Sequence, residues 1–256
     1  MQSTDQPTAI DKALDVLFHL HAEDAPQGVS AIGRALDMPK SSAHRLLSTL
    51  RRRQLVEQDE SGRYRPGIAL LALGLGVLAR EPLVVAGRAV LEAEAASLGE
   101  TFFLVAARDG RLVVLEKVEG TGLLRASPPV GSEVPVHATA VGKLYLAHAP
   151  ELVRNGETTP FTEHTLRSEV ALAREVEQAR SDGHAQNRQE WLEGLSVIAA
   201  PIFLRGEITG AICVALPSTR LAQLEDADVI ERVKRAAREI EARMGGPQRE
   251  AERSRT

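Results

Sequence analysis

Ser30-Ala31-Ile32-Gly33-Arg34-Ala35-Leu36-Asp37-Met38-Pro39, running on into Lys40-Ser41-Ser42-Ala43-His44-Arg45-Leu46-Leu47-Ser48-Thr49-Leu50-Arg51-Arg52-Arg53, reads as a short helix, a tight turn and a second helix. Pro39 suits the first turn of the second helix, where a missing N–H leaves no bond unmade. Ala43, Leu46, Leu47 and Leu50 recur at i, i+3, i+4 and i+7, so one stripe is apolar and faces a core. Ser41, Arg45, Ser48 and Arg52 form the opposite stripe, and all four can donate hydrogen bonds. No acidic residue occurs from Lys40 to Arg53, whereas Lys40, Arg45, Arg51, Arg52 and Arg53 are basic. Such a helix fits the major groove of DNA, its N-terminal side chains reaching base edges and its hydroxyls and guanidinium groups meeting phosphates. Taken alone, the stretch also fits a solvated basic helix on an ordinary domain.

The flanking segments favour the DNA reading. A first helix over Thr8 to His21 puts Ile10, Ala13, Leu14, Leu17 and Phe18 on one side. Ala25-Pro26-Gln27-Gly28 breaks it, and Ser30 is the expected N-cap of the next helix. After the basic helix, Leu55-Val56-Glu57-Gln58 and Arg63-Tyr64-Arg65 flank Asp59-Glu60-Ser61-Gly62, a hairpin pattern. Three helices and a hairpin make a winged helix-turn-helix, with Arg63 and Arg65 in the wing, placed for phosphate or the adjacent minor groove.

The chain has 256 residues, room for two domains, and a formal net charge of -4. Affinity for nucleic acid must therefore come from a local patch, which is where the basic helix sits. A single cysteine excludes an intramolecular disulfide and a cysteine-rich zinc site, and agrees with a reducing cytoplasm. Met1 to Thr8 is polar, without the apolar segment of a signal peptide, and Ile68 to Ala79 is too short to span a bilayer. No membrane partner is expected. The two ends, residues 1–7 and 247–256, are polar and expected to fray.

Gly67 to Arg80 is apolar on every face, and such a helix needs cover all round. A second copy of the chain is the expected cover. Gly74-Leu75-Gly76-Val77-Leu78-Ala79 formally matches a dinucleotide-binding glycine pattern but lacks the preceding buried strand, so close helix packing is the better reading. A helix over Leu83 to Leu98 leads onward. Thr101 to Ala107 and Leu112 to Val118 form a hairpin about Arg108-Asp109-Gly110-Arg111, and Leu123 to Ala126 is a further strand. Ala138 to Ala147 is a helix, and Arg167 to Asp182 a longer one with Val170, Ala173, Val176 and Ala179 inward. Ser196 to Phe203 and Glu207 to Leu216 form a second hairpin about Arg205-Gly206. A last helix, Glu225 to Met244, turns Val229, Ile230, Val233, Ala236, Ala237 and Ile240 to one side. Hairpins surrounded by helices make an α+β domain on an antiparallel sheet.

The sequence resembles the IclR family of bacterial transcription regulators from about residue 8 to 245. The resemblance is carried by Pro39 to Leu47 with Gly62-Arg63-Tyr64, by Pro135-Val136-His137-Ala138-Thr139-Ala140-Val141-Gly142-Lys143, and by Pro160-Phe161-Thr162. It continues through Glu190, Gly194 and Ile198-Ala199-Ala200-Pro201-Ile202-Phe203. It implies a mixed α/β (α+β) chain: a winged helix-turn-helix over residues 8–66, linker and dimerisation helices over 67–98, and a GAF-like effector-binding domain over 99–245. It further implies a cytoplasmic homodimer or dimer of dimers on a palindromic double-stranded DNA operator, a repressor relieved by a small effector.

Small residues opening the helix after His137 leave backbone N–H groups accessible at its positive end, a seat for a carboxylate, although tight packing on a sheet explains them equally well. The resemblance places the effector there, against His137, Thr139, Ala140, Val141 and Gly142, and matches Asn187, Leu195, Val197, Cys213 and Ala215 to the remaining pocket. Trp191 is a further candidate. Members that sense small polar acids carry an acid and serines where this chain has Asn187, Cys213 and Ala215. A less polar lining implies an aromatic or longer-chain acid, ester or amide, since burying a polar group without a partner is unfavourable.

The expected DNA contacts are Ser41, Ser42, His44 and Arg45 for bases, and Lys40, Ser48, Arg51, Arg52, Arg53, Arg63 and Arg65 for the backbone. Effector binding is expected to move paired recognition helices away from a spacing of about 34 Å per helical turn. Cys213 lies in an apolar strand and reads as a buried small hydrophobe. His137, His148, His164 and His184 lack the spacing of a nucleophile–base pair or a metal cluster. No enzyme activity, cofactor or resident metal is expected; an enzyme tethered to DNA and a constitutive architectural binder are the competing classes.

Overall fold

A computed structural model describes residues 7–122, 128–154, 159–224 and 226–245. The chain divides into two compact units between Ala79 and Arg80. The expected connector, residues 67–98, is thereby split, its first helix going with the N-terminal unit and its second with the C-terminal one. The expected strand over Leu123 to Ala126 lies outside the described residues.

In the first unit, α1 (Ala9–Ala22) starts from a capping box in which Thr8 Oγ1 accepts from the Asp11 amide and the Asp11 side chain accepts from the Thr8 amide. Val16 and Leu20 enter the core; of the stripe expected, Ala13 and Leu17 pack half-buried against it, while Ile10 and Phe18 are 72% and 70% exposed. The helix is apolar on two stripes, and only the helices packed beside it decide between them. α2 (Val29–Ala35) is capped by Gly28 rather than Ser30, earlier in the chain than the hydroxyl pattern indicates. Asp37 takes a positive φ of 45°, and the Met38 amide donates to the Gly33 carbonyl at 2.8 Å, closing the turn into α3 (Lys40–Arg52). A Cβ on Gly33 would sit 2.9 Å from the Met38 carbonyl oxygen, so the turn closes only over glycine. Pro39 is the residue before α3, not its first helical one.

β1 (Val56–Gln58) and β2 (Tyr64–Pro66) pair antiparallel as the wing, and Gln27 adds a two-bond bridge to Tyr64. Val16, Leu20, Ile32, Leu47, Leu50, Val56 and Tyr64 form the core beneath them. α4 (Ile68–Leu78) follows; it contains the glycine pattern Gly74-Leu75-Gly76 mid-helix and buries none of its residues. Ile68, Leu71, Leu73, Leu75 and Val77 all stand in the open.

The second unit begins with α5 (Pro82–Leu98) and is built on a six-stranded, wholly antiparallel sheet. Its strands are β3 (Thr101–Arg108), β4 (Arg111–Val118), β5 (Glu133–Val134), β6 (Ala185–Arg188), β7 (Leu195–Leu204) and β8 (Glu207–Pro217), in the order β5-β4-β3-β8-β7-β6. Both expected hairpins close through two consecutive positive-φ residues, Asp109-Gly110 at 51° and 82° and Arg205-Gly206 at 56° and 88°. That is the turn whose twist matches paired strands.

The period-two alternation of β3 splits its side chains between two layers. Leu104 faces α5, close enough that a Cβ on Gly87 would meet its Cδ1 at 2.6 Å, with Ile240 of the last helix beside it. Phe103 and Val105 turn to the other face, joining Cys213 and Ala215 beneath α6 (Ala140–His148). α7 (Glu169–Asp182) buries Leu172 and Ala179, while Val170 and Ala173, expected inward, are exposed. A short α8 (Ser218–Leu221) and then α9 (Asp226–Gly245) complete the unit, α9 burying Val229, Val233, Ala236, Ala237 and Ile240. Ile230 is half-buried.

Candidate functional site

α3 presents Lys40, Ser41, His44, Arg45, Ser48, Arg51 and Arg52 to solvent, with Arg53 exposed just beyond its end and Ser42 half-buried. The opposite stripe, Ala43, Leu47 and Leu50, is buried, and Leu46 is half-buried. The first intrahelical bond is Ala43 N to Pro39 O at 3.0 Å, leaving the amides of Lys40, Ser41 and Ser42 without an acceptor in the helix. These amides and the hydroxyls crowd one helix start with no acidic residue in its first turn.

The wing is braced rather than loose. Asp59 accepts from the Ser61 amide at 2.9 Å, the Ser61 hydroxyl at 2.7 Å and the Arg63 amide at 2.9 Å. Those bonds, the Ser61 hydroxyl's first, hold its carboxyl below the usual carboxylate range. Arg51 donates to Gln58 Oε1, tying the wing to α3. Arg63 stands exposed, its charge near Asp59 but in no close ion pair among the described residues, whereas Arg65 pairs with Glu57 at 3.0 Å directly across the hairpin. Of the two wing cations, Arg63 is therefore the freer to meet a phosphate.

In the second unit Thr139 caps α6. Its Oγ1 accepts from the Gly142 amide at 3.1 Å and donates to the Pro135 carbonyl at 2.7 Å. The first two helical amides, Ala140 and Val141, have no partner among the described residues, and both residues line a narrow cavity. Of the expected contacts, Thr139, Ala140, Val141, Asn187, Trp191, Leu195, Val197 and Ala215 line it. Phe103, Pro128, Val134 and Leu192 line it as well, none of them expected.

Three expected contacts lie elsewhere. His137 precedes the cap; its Nε2 lies 2.9 Å from the Thr159 carbonyl and its ring stacks on Phe161 at 5.5 Å, beside a separate surface hollow. Gly142 faces inward, its Cα so close to Val136 that a Cβ would lie 1.7 Å from the carbonyl oxygen. Cys213 is fully buried among the apolar side chains under α6, and that burial pushes its thiol pKa well up.

The segment from residue 75 to 242 matches the family model for the bacterial transcriptional regulator IclR C-terminal domain, and residues 9–60 match the IclR helix-turn-helix domain. The chain belongs to the IclR family. The HTH-type transcriptional regulator BhcR of Paracoccus denitrificans is 33% identical over 239 residues, which cover 91% of this chain and 85% of that protein. The crystal structure of the Thermotoga maritima IclR superposes with a TM-score of 0.76 at 26% identity, covering 92% of this chain and 98% of that one. An IclR homologue from Microbacterium hydrocarbonoxydans, solved with 4-hydroxybenzoate, shares the fold with a TM-score of 0.80 at 23% identity, covering 93% and 99%. As an IclR regulator, the chain joins a helix-turn-helix unit for DNA to an effector-binding C-terminal unit.

Two further features of this IclR chain bear on the cavity. Lys143, 1% exposed, reaches Glu190 Oε1 at 2.7 Å, the Gln186 carbonyl at 2.9 Å and Glu175 at 3.2 Å, tying α6 to the β6–β7 connection. Thr165 Oγ1 donates to the Glu190 carbonyl at 2.6 Å and Thr162 Oγ1 to that of Gln189 at 2.7 Å. Through these bonds the Phe161-Thr162 motif pins the loop that carries Trp191 and Leu192 to the cavity. A lysine at the fourth helical position after small residues is the only signal for that network in the sequence. Among the described residues no cluster of His, Cys, Asp or Glu suits a metal ion, and no helix is long and apolar enough to cross a membrane.

Proposed function

We propose that the protein is a repressor that holds a palindromic operator as a homodimer or dimer of dimers and is released by a small organic acid with an aromatic or extended apolar body. The carrying observation is the cavity at the start of α6, where two unpaired amides meet a mostly apolar lining. The amides and the helix dipole favour a carboxylate, and Phe103, Trp191, Leu195 and Val197 favour an apolar body. That an IclR-fold protein holds 4-hydroxybenzoate agrees with an acid of this kind. The exposed apolar faces of α4 support dimerisation, because a monomer would leave five large aliphatic side chains in water. A regulator of this kind works in the cytoplasm, beside the DNA.

Val141→Asp sets a carboxylate against the seat. Its operator release should need roughly ten-fold more acid or worse, equivalent to about 1.4 kcal/mol of lost binding. Because Val141 is 2% exposed, the variant also buries a carboxylate, so it is read only where its circular dichroism and melting match the wild type; there operator affinity without ligand should be unchanged, read by fluorescence anisotropy on labelled operator DNA. A wild-type dose response in that variant rejects the seat. On α3, the exposed Arg45, unpaired among the described residues, is placed as a base-reading residue. Arg45→Ala should cost about 1–3 kcal/mol of specific binding, while the steep loss of affinity with salt that comes from phosphate contacts persists. Unaltered discrimination between operator and random duplex removes Arg45 from the base contacts.

A further inference from the structure

We infer that the recognition helix α3 and the apolar helix α4 are locked into one rigid lever by a joint of backbone bonds at Gln54 and Gly67, which makes Gly67 a positioning residue for DNA binding. It requires only that the helix-turn-helix be the DNA-binding element, whatever the acid and however many copies assemble. Just past α3 the chain takes a left-handed residue, Gln54, at a φ of 58°. The Gln54 amide donates to the Arg51 carbonyl at 2.9 Å and the Leu55 amide to that of Leu50 at 3.0 Å, the paired bonds that close a helix C-terminus. The next two carbonyls are both taken by the start of α4. Gln54 O accepts from the Ala69 amide at 3.1 Å, and Leu55 O from the Gly67 amide at 2.9 Å.

α4 has no side-chain cap, because its N-cap residue is Gly67, so its early amides need acceptors from elsewhere. The turn that ends α3 supplies one. The approach is so close that only glycine fits: a Cβ on Gly67 would lie 2.3 Å from the Gln54 carbonyl oxygen and 2.9 Å from both the Gln54 carbonyl carbon and the Val56 nitrogen. All three atoms are backbone. Gly67 itself is buried, whereas α4 beyond it buries no residue. The direction in which α4 leaves is thus set at its first turn, by the end of the recognition helix. Whatever grips the exposed aliphatic side chains of α4 turns the recognition helix with it.

Spin labels at Thr49→Cys in α3 and Ala72→Cys in α4 test this in the full-length chain, diluted into unlabelled protein so that only pairs within one chain are read. Both positions are exposed, and the native thiol, Cys213, is fully buried and stays unlabelled. Pulsed dipolar spectroscopy should give one narrow distance, the same with and without operator DNA selected from a random pool by the wild type. Gly67→Ala should broaden that distance and weaken operator binding roughly ten-fold or more, the loss of about one good base contact. Ala69→Pro deletes the amide that Gln54 accepts, in a helix first turn, where proline is tolerated. It should act the same way by a smaller factor, and it carries the test if Gly67→Ala does not fold. Gln54→Gly, which keeps the carbonyl and suits a positive φ, should leave distance and affinity unchanged. A broad or two-peaked distribution in the wild type or in Gln54→Gly, or a distance that moves on DNA binding, overturns the lever. A folded Gly67→Ala or Ala69→Pro chain that keeps the narrow distance or the native affinity overturns the positioning role.

Discussion

Lys143→Ala should destabilise the second unit by about 3–5 kcal/mol, the usual loss when one partner of a buried ion pair is deleted. The ammonium is inaccessible to water and holds three acceptors, from Glu190, Glu175 and the Gln186 carbonyl. Deleting it strands Glu190, which is 6% exposed and whose Oε2 already lacks a partner among the described residues. Glu175 is much more exposed and can turn to solvent, so the penalty concentrates on Glu190. Urea unfolding followed by circular dichroism measures the loss. Pairing the change with Glu190→Leu should recover much of it, because an apolar pair strands no charge. A loss below about 1 kcal/mol would mean that water takes over the ammonium's bonds, as it does at surface pairs.

Gly142→Val should be the most disruptive change at the cavity. The space a side chain needs is filled by the Val136 backbone: a Cβ would lie 1.7 Å from its carbonyl oxygen, 2.5 Å from its carbonyl carbon and 2.7 Å from its Cα. All three atoms are backbone, so no flexible end can swing away. The penalty should reach or pass the upper end of the roughly 1–3 kcal/mol typical of overpacking, with α6 displaced from the sheet. Thermal unfolding monitored through the C-terminal unit, and loss of acid binding by that unit, are the expected signs. A variant with native melting and native ligand affinity would show that Val136 yields easily.

How legible each feature is in the sequence varies with its physics. The recognition helix is legible because one face is apolar, the other basic, and no acid interrupts it. The two long hairpins are legible because Asp109-Gly110 and Arg205-Gly206 name their turn type. On α1 the periodicity finds only part of the inner face: Ala13 and Leu17 pack on the core as expected, but Val16 and Leu20 go deepest, while Ile10 and Phe18 stay out. Periodicity finds apolar stripes, but where a helix has two, only the neighbours rank them. α7 shows the same fault, with Leu172 inward in place of the expected Val170.

The edge strands are hidden for a different reason. β5 has two residues, and β6 reads Ala-Gln-Asn-Arg, polar and poor in strand formers; pairing to β4 and β7 makes them strands. Asn187 matches the pocket by resemblance, yet its amide clamps the loop as well as lining the wall. Phe103 is hidden inside the run Phe102 to Ala106, which is buried and apolar on both faces, so no alternation marks the ligand-facing side. His137 falls to a boundary error: the helix begins three residues later, at Ala140, so the imidazole belongs to the approach and not to the seat.

Trp191 is the chain's single tryptophan, and its ring stands half-buried at the cavity wall. Nature has therefore installed one indole chromophore at the place where a guest must displace solvent. Its emission colour and intensity report that neighbourhood alone, undiluted by any other indole. A label-free optical gauge of occupancy comes with the fold, readable in the same cuvette as the DNA.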